Sequence, residues 1–222
     1  MVAGLLLAAG AGRRYGMPKA LAGDGEWLRS AVEALADGGC DPVLVVLGAA
    51  ADRAAPLVPE PARAVVAPDW AEGMGASLRA GLAALAAPDA LGDAAKGPFA
   101  AGGTAGGTAG GTAGGTAGGT APGAIEAALI HLVDLPDVGA AVVRRVVGYA
   151  APDAVARAVF DGQYGHPVLL GRQHWDAVTA VTTGDRGARD WLAGRGDLVL
   201  VDCTDLATGA DVDGSPESGM TG

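Results

Sequence analysis

Residues 2–19 read Val-Ala-Gly-Leu-Leu-Leu-Ala-Ala-Gly-Ala-Gly-Arg-Arg-Tyr-Gly-Met-Pro-Lys, an unbroken apolar run that empties into a glycine-rich, basic loop. A run such as Val2–Ala8, with no polar alternation, suits a central parallel strand buried on both faces. Gly10, Gly12 and Gly16 permit positive φ and close backbone approach, so successive N–H groups can converge on phosphate oxygens. Arg13, Arg14 and Lys19 add positive charge to that concavity. Lysine is scarce in the chain, Lys19 and Lys96 standing against thirteen arginines, so its use here points to a need for a compact ammonium. The loop is not a Walker A motif, because the chain has no Gly-Lys-Ser/Thr triplet. It also lacks the dinucleotide spacing. Gly16 falls one residue late for Gly-x-Gly-x-x-Gly, and Gly48-Ala49-Ala50 stands where an acidic residue would end the second strand.

Outward from this loop the chain alternates strand-like and helix-like segments. Trp27, Leu28, Val32 and Leu35 recur at helical intervals and predict a helix over 27–38, stopped at Gly38-Gly39. Strands are predicted at Val43–Leu47 and 64–66, and the Leu78, Leu82, Leu85 spacing predicts an amphipathic helix over 77–87. Then follow a strand over 126–133, a helix over 137–148, strand-like segments at 155–160 and 167–170, helices over 172–181 and 185–193, and a last strand at 198–201. Strands separated by helices imply an α/β fold of three layers, a mostly parallel sheet with helices on both faces. Ligands of such sheets bind at the carboxyl ends of the strands.

Residues 102–121 are five copies of Gly-Gly-Thr-Ala in an Ala/Gly/Pro-rich surround. Such a stretch cannot bury enough apolar surface to offset its ordering entropy, so 88–124 is expected to be a flexible low-complexity insertion in one domain spanning 1–222. It joins a helix to the next strand, so it should emerge at the amino ends of the strands, away from the chemistry.

Composition excludes several classes. The net charge of −10 leaves no broad basic surface for nucleic acid, so any anion must be held locally. No run of about 18 apolar residues exists to span a bilayer. No basic residue precedes the apolar start and Arg13 and Arg14 follow it, so a buried strand in a cytoplasmic protein is expected rather than a signal peptide. Cys40 and Cys203 are too few and too far apart for a disulfide scaffold.

The stretch Leu7-Ala8-Ala9-Gly10-x-Gly12-x-Arg14-x-Gly16-x-x-Lys19 resembles the signature loop of MobA-like nucleotidyltransferases, and its Ala-Ala-Gly is similar to the molybdenum cofactor cytidylyltransferase branch. Further matching stretches follow in the family's order. They are Pro68-Asp69-Trp70-Ala71-Glu72-Gly73-Met74-Gly75-x-Ser77-Leu78-Arg79, Asp134-Leu135-Pro136, Gly165-His166-Pro167-Val168 and Gly184-Asp185-x-Gly187-Ala188-Arg189. The resemblance implies a nucleotide-diphospho-sugar-transferase-like Rossmannoid fold. It also implies Mg²⁺-dependent transfer of a nucleoside monophosphate from an NTP, CTP above others, to a phosphate on a molybdopterin-type cofactor, with release of pyrophosphate. A molybdoenzyme receiving the product is an implied partner; nucleic acid and membrane are not. GTP, a small phosphorylated acceptor, or a non-catalytic maturation factor holding nucleotide or cofactor are the alternatives.

Phosphoryl-type transfer needs charge neutralisation and alignment more than covalent chemistry, which fits these residues. The resemblance assigns catalysis to Lys19 and Arg14. It assigns nucleotide binding to Ala8, Ala9, Gly10, Gly12, Arg13 and Gly16, with Asp69 and Gly73 reaching base and ribose. Ser77 reads equally as nucleotide ligand and as helix cap. Asp134, at the end of an apolar strand, reads as an Mg²⁺ ligand or as a helix N-cap. A second metal ligand is expected at Asp213, with Asp211 next, in Asp211-Val212-Asp213-Gly214-Ser215-Pro216-Glu217, where one residue is inserted relative to the family's stretch. His166 and Arg189 are candidates for acceptor binding, against a turn-holding histidine and a solvated arginine. His131 and His174 read as structural.

Overall fold

The computed structural model describes residues 1–87 and 124–212. The Gly-Gly-Thr-Ala repeats and Asp213 lie outside the described residues. Seven strands form one sheet: β1 (Val2–Ala8), β2 (Val43–Leu47), β3 (Arg63–Val66), β4 (Ala127–Leu132), β5 (Val155–Phe160), β6 (Gln163–Gly171) and β7 (Val199–Asp202), in the order β3-β2-β1-β4-β6-β5-β7. β1 lies in parallel between β2 and β4, and every one of its residues is buried. Among the described strands only β6 runs antiparallel, between β4 and β5.

Alternation along the strands sends side chains to two apolar layers. Leu6, Val45 and Leu129 face α1 (Glu26–Asp37) and α4 (Ala140–Val147), whose Leu28, Val32, Leu35, Val142 and Val146 close one core. Leu5, Leu7, Val46 and Ile130 face α3 (Met74–Ala86), α5 (Trp175–Val181) and α6 (Arg189–Ala193) in the other. Each fully buried leucine or valine contributes roughly 1.5–3 kcal/mol. The short α2 (Ala51–Ala54), which the sequence pattern does not announce, follows β2. Among the described residues no helix is long and apolar enough to cross a membrane.

Four departures from the sequence expectation bear on the residues singled out above. β6 begins at Gln163 rather than 167, because Asp161-Gly162 closes a two-residue hairpin with both φ positive, and the strand's polar start pairs with β5. α3 begins at Met74, three residues early, with Gly73 as its N-cap, so Ser77 lies inside the helix and caps nothing. α4 starts after Gly139, which removes the N-cap reading of Asp134. The helix expected over 185–193 is a 3₁₀ turn, Gly184–Arg186, then a break, then α6.

Candidate functional site

The carboxyl ends of β1 and β4, the turn after β3 and the start of β6 enclose one cavity of about 890 Å³. That volume suits a nucleotide-sized ligand. The antiparallel course of β6 matters here, since it brings the strand's first residues to the same edge as the ends of its parallel neighbours.

The loop after β1 is folded back on itself. Gly16 N–H donates to Gly12 O at 2.8 Å, and Leu21 N–H donates to Pro18 O at 2.9 Å. Gly12 has φ +60°, and a Cβ there would stand 1.7 Å from Met17 O, so only glycine allows this closure. Tyr15 anchors the loop, its buried ring 5.3 Å from that of Trp27. Gly10 is different: it is exposed, and a Cβ there would meet no protein atom within 4 Å. The fold itself therefore does not demand glycine at 10, whereas a ligand lying against that backbone would.

Ala8, Ala9, Gly10, Gly12, Arg13 and Arg14 line the cavity. Gly16 does not; it shapes the loop from behind. Gly73 and Ser77 lie on the wall but Asp69 lies off it, because the chain turns through the 3₁₀ segment Trp70–Glu72 and presents Trp70 instead. Arg79 steadies that turn, donating to Glu72 Oε2 at 2.9 Å and to Thr182 O at 2.6 Å.

Lys19 and Asp134, 115 positions apart in sequence, meet on this wall with Nζ 2.8 Å from Oδ2. Their side chains are only 15% and 20% exposed, so the pair is screened less than a surface one. Val212 N–H donates to Asp134 O at 3.1 Å, which ties the C-terminal segment beside Asp134 and places Asp211 on the cavity. Thr208 and Gly209 N–H groups both donate to Asp137 Oδ2, reinforcing the tie. Among the described residues no three His, Cys, Asp or Glu side chains cluster as a complete metal cage. One or two carboxylates with room for phosphates fit Mg²⁺, a hard cation that keeps most of its coordination for substrate and water.

The far side of the cavity carries His166 and Arg189, two of the residues singled out in the sequence, together with Arg157 and Tyr164, which the sequence reading missed. A lone arginine inside the otherwise apolar Val155–Phe160 was the available signal. His174 sits in a 3₁₀ turn, Arg172–His174, against Asp153 O at 2.8 Å, a structural role. The His166 imidazole is pushed down to about 3, chiefly by burial and then by Arg157, His131 and Arg189 around it. It is therefore neutral at neutral pH.

His131 is fully buried on β4, and among the described residues neither ring nitrogen has a hydrogen-bond partner. Burial pushes its pKa down from 6.5 to about 4, against a smaller opposite pull from Asp134. With the folded value below the unfolded one, the unfolded chain takes up the proton first, so stability falls as pH drops from 6.5 towards 4. That shift corresponds to about 3 kcal/mol lost across the window. His131→Leu, close in volume and without orphaned nitrogens, is expected to raise the melting temperature at neutral pH and flatten its decline between pH 6.5 and 4. Thermal melts across that range check it, and an unchanged slope would assign the acid sensitivity elsewhere.

Residues 4–199 match the model of the MobA-like NTP transferase domain. The chain is 36% identical over 224 residues to a nicotine blue oxidoreductase of Paenarthrobacter nicotinovorans, covering 96% of this chain and 92% of that one. Among solved structures it is similar to Rv0371c of Mycobacterium tuberculosis H37Rv (22% identity, 96% and 93% of the two chains, TM-score 0.67), of which a manganese complex is also known. A nucleotidyl transferase of Methanothermobacter thermautotroptrophicus superposes equally well (18% identity, 98% and 94%, TM-score 0.67). At those identities the solved structures bear on the fold, and they share its α/β architecture. The family match spans most of the chain and includes the glycine loop, Lys19, Asp134 and the far wall; the chain belongs to the MobA-like NTP transferase family.

Proposed function

We propose that this chain transfers a nucleoside monophosphate, CMP above others, from an NTP to the phosphate of a molybdopterin-type acceptor and releases pyrophosphate. The observation that carries the reading is the meeting of Lys19 and Asp134 at 2.8 Å beside an open glycine loop. Backbone N–H groups around Gly10 and Gly12 cradle the triphosphate, and Arg14 and Lys19 neutralise the charge that builds on the departing pyrophosphate. Arg13 adds to the field at the mouth, while Gly73 and Ser77 border the space left for the nucleoside. Asp134 and an acid of the C-terminal stretch, Asp213 or the cavity-lining Asp211, would hold Mg²⁺. That ion, when bound, would supply positive charge against the charge that develops on the phosphates. His166 and Arg189 face the acceptor.

The test is pyrophosphate release with Mg²⁺, each of the four NTPs in turn, and molybdenum cofactor as acceptor. Release with CTP supports the reading. Preference for another NTP keeps the chemistry and changes the base, and nucleotide binding without release on any phosphorylated acceptor leaves a binding protein.

The 36% identity to a nicotine blue oxidoreductase favours a second reading, in which the same glycine loop holds the pyrophosphate of a nicotinamide dinucleotide. Saturable NADH or NADPH binding that CTP does not displace would support it.

The repeat segment offers a further check. The Met1 amino group donates to Ala124 O at 3.1 Å, so the segment rejoins the described chain at the amino edge of the sheet. The seven residues of β1 separate that edge from the glycine loop by about 20 Å. Deleting 102–121 is expected to leave kcat unchanged; a large loss with an unaltered melting temperature would tie the repeats to turnover.

A further inference from the structure

Arg79, in the second turn of α3, is half-buried and stands outside the cavity lining, yet it bonds to two segments that form part of that lining's frame. One Nη donates to Glu72 Oε2 at 2.9 Å and the other to Thr182 O at 2.6 Å. Glu72 ends the 3₁₀ turn Trp70–Glu72, whose three residues all line the cavity. Thr182 is almost fully buried at the end of α5, where its N–H and its hydroxyl both donate to Val178 O. Its carbonyl is thus the fixed point from which the chain departs toward α6. That connection, 183–188, passes through the 3₁₀ turn Gly184–Arg186 and returns to the cavity with Arg186, Gly187 and Ala188. A Cβ on Gly75 would stand 3.0 Å from Thr182 Cγ2 and 3.1 Å from Gly184 O, so the connection rests directly on the first turn of α3. The start of α3 therefore carries both walls, and Arg79 is bonded to each. Its pair with Glu72 is too exposed to weigh much in global stability, pairs of this kind contributing about 0.2–1 kcal/mol. The geometry matters more than the energy. A guanidinium is a rigid planar fork, so a displacement of Glu72 shifts the donor that Thr182 O accepts.

We propose that Arg79 is a positioning residue that couples the two walls, so that a nucleotide settling against the Trp70–Glu72 turn also orders the 183–188 connection. The proposal rests on the nucleotide site of the transfer reading and adds a dependence between parts of the cavity: one wall is set by the ligand that binds the other. Arg79 touches neither ligand. It acts through Glu72 on one side and Thr182 O on the other.

The experiment is amide hydrogen exchange of the full chain, with and without saturating α,β-methylene analogue of CTP, which cannot be transferred, in the presence of Mg²⁺. The analogue is expected to slow exchange at 183–188 about tenfold in the parent, within the roughly 5- to 150-fold range of coupling between sites. Arg79→Lys keeps the charge but not the fork, and Arg79→Met keeps only the stem. In both, the slowing at 183–188 should disappear while slowing at the glycine loop persists. Glu72→Ala should lose it to the same degree, and Glu72→Ala/Arg79→Met should be no worse than either single variant. A loosened fold would not give this pattern, since it raises exchange with and without nucleotide alike. Equal slowing in the parent and both Arg79 variants, additive losses in the double variant, or no slowing at 183–188 in the parent, whether or not the analogue binds, would each overturn the coupling. If Arg79→Met fails to fold, Arg79→Lys decides. Pyrophosphate release is scored separately. Its absence alongside transmitted slowing refutes the transfer reading and keeps the coupling, and release without slowing at 183–188 does the reverse.

Discussion

Lys19→Ala is expected to lower the rate of pyrophosphate release by about 10²-fold or more, the size of effect that follows loss of one preorganised group opposite developing charge. The ammonium stands at the junction of the glycine loop and β4, 2.8 Å from Asp134. On the transfer reading, its loss removes the charge that would face the leaving group, and it also leaves Asp134 partly buried without this counter-charge. The second effect costs on the order of 1–3 kcal/mol of stability, so rate and stability must be measured together. The double variant Lys19→Ala/Asp134→Asn separates them. It should recover the melting temperature, because no uncompensated carboxylate remains, yet stay inactive. Full activity in Lys19→Ala would take the lysine out of the reaction altogether.

Gly12→Ala and Gly10→Ala are expected to fail by different routes, and the contrast is the second large effect. At Gly12 the added Cβ meets Met17 O at 1.7 Å on a backbone with φ +60°, so the loop must open to admit it. The left-handed conformation alone costs a non-glycine residue about 1–2 kcal/mol, which corresponds to roughly tenfold in NTP affinity. Faster proteolysis of the loop should accompany that loss. At Gly10 the protein offers no obstacle within 4 Å, so the variant should fold and melt like the parent. Any fall in NTP affinity there reports a phosphate that lies against the backbone. Gly10→Ala with parental NTP affinity would move the triphosphate away from this part of the loop.

Much of the fold was legible because its strands are continuous apolar runs bounded by glycine, as at Val2–Ala8 and Val43–Leu47. The same local chemistry exposed the glycine loop, and Asp134 stood out as the acid ending an apolar strand. Long-range geometry was not legible. Nothing in the spacing says that Lys19 and Asp134 touch, since 115 residues separate them. The hairpin of β5 and β6 escaped a reading tuned to strand, helix, strand, although Asp161-Gly162 is a strong hairpin signal. The residues before Pro167 are polar or small and gave no strand pattern, so β6 looked short. Arg157 was lost for the same reason, because its part in the cavity depends on which neighbour its strand acquires. The start of α3 was misplaced since Ser77 looked like a cap, whereas the turn at Gly73, with φ +118°, starts the helix earlier.

The reversed course of β6 gives the two walls of the cavity different kinds of support. The glycine loop and the turn after β3 follow parallel strands and lead into the crossover helices behind them. Tyr164, Gly165 and His166 come instead from the inner arm of a hairpin, the strand between β4 and β5, whose turn is two residues long and free of any helix. On the transfer reading proposed above, a change in that arm would alter which acceptor enters while the turn that holds the nucleotide keeps its own supports.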